Sequence, residues 1–333
     1  MKVQETLGAT FRIQGHELTT SVSIGITVYP DDGRDFDILL KKADTALYKA
    51  KENGRNAYQF YTEQMNNEAV EYLKIRNGLR QALIHDEFLL HYQPQINLAD
   101  GKVVGVEALI RWRHPELGVL QPSRFITIAE DSGLIVPIGD WALRQACKQA
   151  VEWRRIGLPP IIVAVNLSAV QFKRGDIEKS VLQALHESGH DPNYLELELT
   201  ESILIQDTSR AMDTLTRLKE MGMKLSIDDF GTGYSSLSYL KRLNVDKLKI
   251  DQSFVRDMVN NKNDAAIVQA IIQMARSLGL QVIAEGVEDE QLVSMLFHQQ
   301  CHEAQGYHFA RPMAPGAFVD YMANIAADEQ TLH

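Results

Sequence analysis

Two adjacent aspartates, Asp228 and Asp229, stand between an apolar run, Met223-Lys224-Leu225-Ser226-Ile227, and a glycine-rich segment, Phe230 to Leu237. Neighbouring carboxylates repel unless a proton or a cation intervenes. Two of them at a strand end therefore point to hard-cation binding, with one oxygen donor able to bridge two ions. A loop with an N-cap aspartate is the plainer alternative. Other positions argue against it. The ends of successive apolar runs carry Glu107, Asn166, Glu198, Asp228 with Asp229, Lys249 with Asp251, Glu285 and Gln305. Most are separated by about one strand–helix unit of roughly 30 residues, so each can reach the same rim. The set exceeds what one magnesium takes from protein. Two ions about 3.5–4 Å apart suit it, with Asp228 or Asp229 between them.

The elements that must position these residues follow from the hydrophobic pattern. Expected strands are Phe88–Tyr92, Val103–Ile110, Ile161–Val165, Leu195–Leu199, Lys224–Ile227, Lys247–Ile250, Val282–Ala284 and Gly306–Phe309. Amphipathic helices fall between them at Trp141–Arg155, Ile177–Glu187, Thr208–Met221, Ala265–Leu278 and Glu290–Phe297, and a helical pattern starts at Tyr239 to Arg242. Gly157, Gly189, Gly222 and Gly279 sit just past helix ends, as C-terminal caps. Repeated strand–helix units predict an α/β protein, a TIM-type (β/α)8 barrel with its site at the strand C-termini. An open doubly wound sheet is the alternative, but no G-x-G-x-x-G follows a first strand.

The 333 residues allow one large barrel and an appendage. Residues 1–61 read as a small α+β segment. It has a strand over Leu18 to Val28, a turn at Pro30 to Gly33, and a helix from Phe36 to Lys51 with Leu40, Ala43, Leu47 and Ala50 on one face. Gly54 stops that helix, and a short strand follows around Tyr58. Residues 62–84 form a linking helix, with Leu73, Leu79, Ala82 and Leu83 as its apolar side. The barrel spans 72–323, and 324–333 is a tail. No apolar run reaches the ~18 residues of a membrane span, and the start lacks a signal-peptide core. Cys147 and Cys301 are too few for a disulfide framework. Together these predict a cytoplasmic chain, or the cytoplasmic part of a longer, membrane-anchored parent, with no membrane contact of its own. A formal net charge of −10 argues against nucleic acid as a partner. It leaves room for a small phosphate ligand, because bound cations reverse the local sign.

Two resemblances sharpen this reading. Ser21-Val22-Ser23-Ile24-Gly25-Ile26, Ala43 to Lys51 and Gly54-Arg55-Asn56 resemble the C-terminal third of a GGDEF diguanylate cyclase domain; the signature loop of that family is absent. The segments Glu107 to Trp112, Asn166-Leu167-Ser168, Glu198 to Ser202, Asp228 to Leu237, Lys249-Ile250-Asp251, Glu285 to Glu288 and Gln305-Gly306-Tyr307 resemble, in order, the EAL phosphodiesterase family. That resemblance implies hydrolysis of cyclic di-GMP to linear pGpG with two Mg2+ or Mn2+ ions, with Ca2+ inhibitory.

By the same resemblance, Glu107, Asn166, Glu198 and Asp228 hold one ion, and Asp228, Asp229 and Glu285 the other. Lys249, Glu285 and Glu107 form the catalytic set. Lys249 steers the attacking water. Glu285 has a general-base reading as well, but water activated by metal makes a separate base less necessary. Gln93, Leu109, Arg111, Asp251 and Gln305 contact substrate, with Arg111 on a phosphate. Glu201 and Glu288 support the rim loops. The loop from Phe230 to Ser236 couples metal loading to a homodimer interface. In-line displacement at one phosphodiester, with the ribose 3′ oxygen leaving, is the implied reaction. The alternatives are a receptor that binds cyclic di-GMP without turnover and a dimerisation platform that binds no nucleotide.

Other signals carry less. His186-Glu187-Ser188-Gly189-His190 matches H-E-x-x-H, but Gly189 and Pro192 end the helix that a zinc site needs. Trp112 either packs the rim or touches a guanine, packing being preferred. Trp141 and Trp153 fall within a helix and read as core or half-buried.

Overall fold

The computed structural model describes residues 11–13, 16–18, 20–52, 56–201, 203, 208–232 and 244–331. The chain divides into two compact units, Met1–Gly78 and Leu79–His333.

In the first unit, β1 (Phe11–Ile13) and β2 (His16–Leu18) pair antiparallel. β3 (Ile24–Ile26) pairs parallel with β4 (Tyr58–Phe60), and α1 (Phe36–Glu52) connects them. Leu18–Val28 is thus not one strand. The β3–β4 ladder has three paired positions, and the strand is no longer than its partner. α1 lies so close to β3 that a Cβ on Gly25 would meet Ala43 O at 2.0 Å. Its buried face is Ala46 and Ala50, while Leu40 is exposed. Gly54 lies outside the described residues. α2 (Glu63–Ile84) begins in the first unit and ends in the second; it buries Ile75, Leu79 and Ala82, spaced i, i+4, i+7. Leu73 falls off that face and is exposed.

The second unit is a closed barrel. β5 (Phe88–Asn97) and β6 (Val103–His114) form a hairpin, and β7 (Gly118–Leu120) adds to the outer end of β6. There follow α3 (Ile126–Ser132), α4 (Ile135–Arg155), β8 (Ile162–Leu167), α5 (Ala169–Arg174), α6 (Ile177–Ser188), β9 (Leu195–Thr200), α7 (Thr208–Glu220), β10 (Lys224–Phe230), β11 (Lys247–Ile250), α8 (Gln252–Asp257), α9 (Lys262–Ser277), β12 (Gln281–Ala284), α10 (Glu290–His298), β13 (Glu303–Ala304) and α11 (Pro315–Thr331). The strand order is β5-β13-β12-β11-β10-β9-β8-β6, and β5 pairs with β6 to close the ring. Closure excludes the open doubly wound sheet.

β5 runs antiparallel to both neighbours, β6 and β13. Only residues 98–102 join β5 to β6, too few for a parallel crossover, which needs about a dozen residues or more. The expected strand Gly306–Phe309 is a turn, and the eighth strand is the two-residue β13 before it. Gly306 presses on Val287, where a Cβ would meet the backbone oxygen at 2.0 Å. Its carbonyl accepts from the Phe309 and Ala310 amides, which closes the turn. The glycines after α4, α6, α7 and α9 (Gly157, Gly189, Gly222 and Gly279) all have positive φ. The expected helix at Tyr239–Arg242 lies outside the described residues.

Alternation within the strands places the core. Val106, Val163, Val165, Leu197, Leu225, Leu248 and Val282 pack outward with Leu143, Trp153, Val181, Val268 and Leu296 of the helices. The other set (Glu107, Ala164, Glu196, Glu198, Ser226, Lys247, Lys249 and Glu303) is also buried, but largely polar. A barrel interior is ordinarily filled by branched apolar side chains. Here the apolar core lies between barrel and helices, and charge fills the lumen.

Candidate active site

Lys249, near the end of β11, organises the upper lumen. It is 1% exposed. Its Nζ lies 2.6 Å from Glu198 Oε2, 2.8 Å from Glu285 Oε1, 3.1 Å from Asp228 Oδ1 and 3.7 Å from Glu107 Oε2. These carboxylates come from β9, the segment after β12, β10 and β6. Burial opposes an ammonium, but Asp228, Glu107, Glu198 and Glu285 outweigh it and hold Lys249 well above the ordinary lysine pKa.

Amides complete the ring. Asn166 Nδ2 donates to Glu107 Oε1 at 2.6 Å. Gln305 Nε2 donates to Glu107 Oε2 at 2.6 Å and to Gln93 Oε1 at 3.0 Å. Gln93 Nε2 in turn donates to the Ala310 carbonyl. Burial raises the pKa of Glu107, but Lys249, Gln305 and Asn166 more than offset it and leave the carboxyl below its ordinary value. Glu198 goes the other way. Burial first, then the charge of Glu107, push it well up.

The aspartate pair is shaped by the backbone. In a regular strand Asp228 and Asp229 would point to opposite faces. The β10–β11 register shifts between Ile227 and Phe230, and Asp229 has φ 55°. Such a left-handed residue costs of order 1–3 kcal/mol and persists only where its surroundings impose it. As a result, one carboxylate oxygen each from Asp228, Asp229 and Glu285 lie within 4.8 Å of one another. Asp229 is pushed up to about 6 by partial desolvation and by Asp228 and Asp251. Glu285 is pushed up to about 8, chiefly by burial, with Lys249 pulling down against Asp228 and Glu107.

The donor set fits two divalent cations. Glu107, Glu198, Asp228, Asp229 and Glu285 against Lys249 leave four formal negative charges, the number that two such ions carry. Glu198 Oε1 is buried with no hydrogen-bond partner among the described residues. An orphaned buried oxygen of this kind is what a ligand satisfies.

The remaining expected residues are placed as follows. Gln93, Glu107, Leu109, Asp228, Glu285, Glu288 and Gln305 line a cleft open to solvent. Asp251 caps α8, accepting from the Ser253 amide at 3.0 Å and from the Ser253 hydroxyl. Arg111 is buried and donates from Nη1 to the Ile110 carbonyl at 2.8 Å; burial lowers its pKa against Tyr307 and Glu107. Glu201 is buried, and neither carboxylate oxygen has a partner among the described residues. Glu288 pairs with Arg256 at 2.8 Å. The rim loop is described only to Thr232, so Gly233 to Ser236 lie outside the described residues.

Sequence reasoning missed five cleft residues: Gln252, Arg256 and Tyr307, and the glycines Gly286 and Gly306. Gln252 and Arg256 are spaced i, i+4 on α8, a signal that becomes legible once α8 is known to start at the rim. Tyr307 has Arg311 over its ring, 4.2 Å from the centroid. Trp112 packs: it is fully buried, and its Nε1 donates to Glu87 at 2.9 Å. α6 ends at Ser188 with Gly189 as its left-handed cap, so His186 and His190 do not share a helix.

Residues 76–312 match the family model described as EAL domain, and residues 2–57 match that of the diguanylate cyclase GGDEF domain. The chain belongs to the EAL domain family. Its EAL barrel is similar to a solved structure of the PaMucR phosphodiesterase in complex with c-di-GMP. The two are 44% identical with a TM-score of 0.71, over 74% of this chain and 99% of that one. Among whole proteins, it is 44% identical over 94% of its length to the bifunctional diguanylate cyclase/cyclic di-GMP phosphodiesterase MucR of Pseudomonas aeruginosa. It is 41% identical over 95% to the cyclic di-GMP phosphodiesterase PdeR of Escherichia coli. The chain spans less than half of each, 46% of MucR and 48% of PdeR. No helix among the described residues is long and apolar enough to cross a membrane.

Proposed function

We propose that the EAL barrel hydrolyses cyclic di-GMP to linear pGpG with two Mg2+ or Mn2+ ions. The observation that carries this reading is the charge imbalance around Lys249, five carboxylates on one rim, open to a cleft. Glu107, Asn166, Glu198 and Asp228 would hold one ion, and Asp228, Asp229 and Glu285 would hold the other. Bound there, the cations supply Lewis-acid stabilisation and a water of lowered pKa. Relatives named as cyclic di-GMP phosphodiesterases support the substrate.

The chain's own groups do the rest. Lys249 is held cationic and aims its ammonium at the rim, where it stabilises negative charge developing on a phosphoryl oxygen. Gln305 and Asn166 fix the rotamer of Glu107 by binding both of its oxygens. Gln93, Leu109 and Gln305 flank the cleft and contact substrate, Arg111 contacts a phosphate, and Asp251 at the start of α8 is a further substrate contact. In the reaction a water oxygen bonds to phosphorus, the phosphorus–O3′ bond breaks, and the proton lost by water ends on the 3′ oxygen. Glu201 and Glu288 support the rim loops, and the same reading makes the chain a homodimer through the barrel, which light scattering tests.

The deciding experiment is incubation of cyclic di-GMP with the chain in Mg2+, followed by product separation, with Ca2+ and chelator controls. Linear pGpG in Mg2+ alone is the expected result. Tight binding with no product would replace the enzyme with a receptor.

A further inference from the structure

A second cleft opens at the opposite end of the barrel, where the parallel strands begin. It is lined by Asn97 and Ala99 of the β5–β6 hairpin, Arg276 of α9, Gln281 at the start of β12, Phe297 and His298 of α10, and Gln300, Cys301 and His302 leading into β13. None of these residues lines the catalytic cleft. Its volume is about 600 Å3, against about 200 Å3 at the catalytic end. Small-molecule sites run to about 300–1,000 Å3.

The lining has one electrical sign. The chain carries a formal charge of −10, yet no aspartate or glutamate lines this cleft. Arg276 is exposed and makes no ion pair among the described residues. A guanidinium is a fork of donors with no acceptor, matched to carboxylate or phosphate oxygens. His302 adds a donor whose tautomer is set by the backbone. The Val282 amide donates to His302 Nδ1 at 3.1 Å, so the neutral ring carries its proton on Nε2. Burial, then the charge of Arg276, lower the His302 pKa and favour that neutral form. Among the described residues no acceptor answers Nε2–H. Asn97, Gln281 and Gln300 add amide-bearing residues to the lining. The lining also holds an exposed aromatic ring, Phe297, which is 52% exposed. An exposed aromatic ring beside phosphate donors suits a planar base carried on a phosphate.

We propose that this cleft is a second ligand site for a phosphate monoester of mononucleotide size, with the phosphate on Arg276 and His302 and the base against Phe297. It does not depend on the reading of the catalytic end.

Isothermal titration of the whole chain with AMP in chelator tests it. Without divalent ions the catalytic end keeps its excess negative charge and repels phosphate, so binding there is suppressed. The expected result is saturable binding of one AMP per chain. Arg276→Gln should weaken it tenfold or more, Phe297→Ala severalfold, and adenosine should bind at least tenfold more weakly than AMP. Glu107→Gln should leave it unchanged. Arg276 and Phe297 are exposed, so both variants keep the wild-type melting temperature. No saturable heat, binding unchanged in Arg276→Gln, binding lost in Glu107→Gln, or adenosine as tight as AMP would each overturn the site. Inorganic phosphate bound as tightly as AMP would overturn the part assigned to Phe297.

Discussion

Lys247 and Lys249 stand two residues apart on β11, both buried, both facing glutamates, and they mark two different kinds of place. Lys247 contacts Glu303 at 2.8 Å and Glu196 at 3.0 Å, low in the lumen. All three are nearly inaccessible to solvent. Burial disfavours its ammonium, but Glu196 and Glu303 outweigh that and raise its pKa above the ordinary value. One cation between two carboxylates is close to balance. Lys249 faces four carboxylates with Asp229 beside them, and the rim opens to a cleft. The chemistry of the pair is the same. Surplus negative charge with solvent access distinguishes a site that takes cations from an internal ion cluster.

The largest expected effect breaks the upper cluster alone. Glu107→Gln keeps the volume but removes a charge and one of the two oxygens that accept from Asn166 and Gln305. Cyclic di-GMP hydrolysis should fall by about 10³-fold or more, with the circular dichroism spectrum unchanged. Wild-type turnover in that variant would sink the two-cation assignment.

Next comes the lower cluster. Lys247→Met strands Glu196 and Glu303 without a partner and should cost about 3–5 kcal/mol in urea unfolding. Adding Glu196→Gln and Glu303→Gln should restore much of that loss. The folded Lys247→Met protein should keep its cation affinity, and loss of that affinity would mean the two layers act as one.

Cations sharpen the contrast further. Mg2+ at 100 times its dissociation constant should stabilise the protein by about 2.7 kcal/mol. The gain should vanish in Asp228→Asn and persist in Lys247→Met. Ca2+ prefers longer, looser coordination than Mg2+ and should support less turnover. Full activity in Ca2+ alone would refute this site.

The smallest effect is in pH. Glu285 rises from 4.5 to about 8 and Asp229 from 3.8 to about 6 on folding. The folded state therefore binds more protons than the unfolded state between those values. Stability of the cation-free protein should fall as pH rises from about 5 to 8. Mg2+, which selects the ionised carboxylates, should flatten that fall. Urea melts across this range with chelator and with Mg2+ measure it; a cation-free stability that rises with pH would contradict these shifts.

Much of this was readable before any coordinates. Acidic and amide residues at successive strand ends announced a shared rim, and the helix-terminating glycines marked most boundaries to within a residue or two. The β5–β6 hairpin was not legible: the expected first strand ended at Tyr92, and only its extension to Asn97 leaves a connection too short for a parallel crossover. Leu40 and Leu73 were assigned to buried faces and proved exposed, because a long helix offers overlapping apolar stripes and only packing chooses between them. Gly306–Phe309 resembled a strand by composition, yet the close approach of Val287 bends it into a turn.

Residue types and order by themselves determined that carboxylates end the strands, that glycines end the helices, and that the chain belongs to a strand–helix repeat, because these follow from local backbone preferences and period-two alternation. Tertiary structure alone decided three things. It turned Asp229 toward Asp228 and Glu285 through a register shift that alternation cannot foresee. It sorted two similar lysines into a nearly balanced buried cluster and an unbalanced site. It gathered Arg276, Phe297 and His302 from separate elements into one cleft. Each depends on which strands and helices become neighbours in space, and the energies of burial and charge that settle it act between residues far apart in the chain.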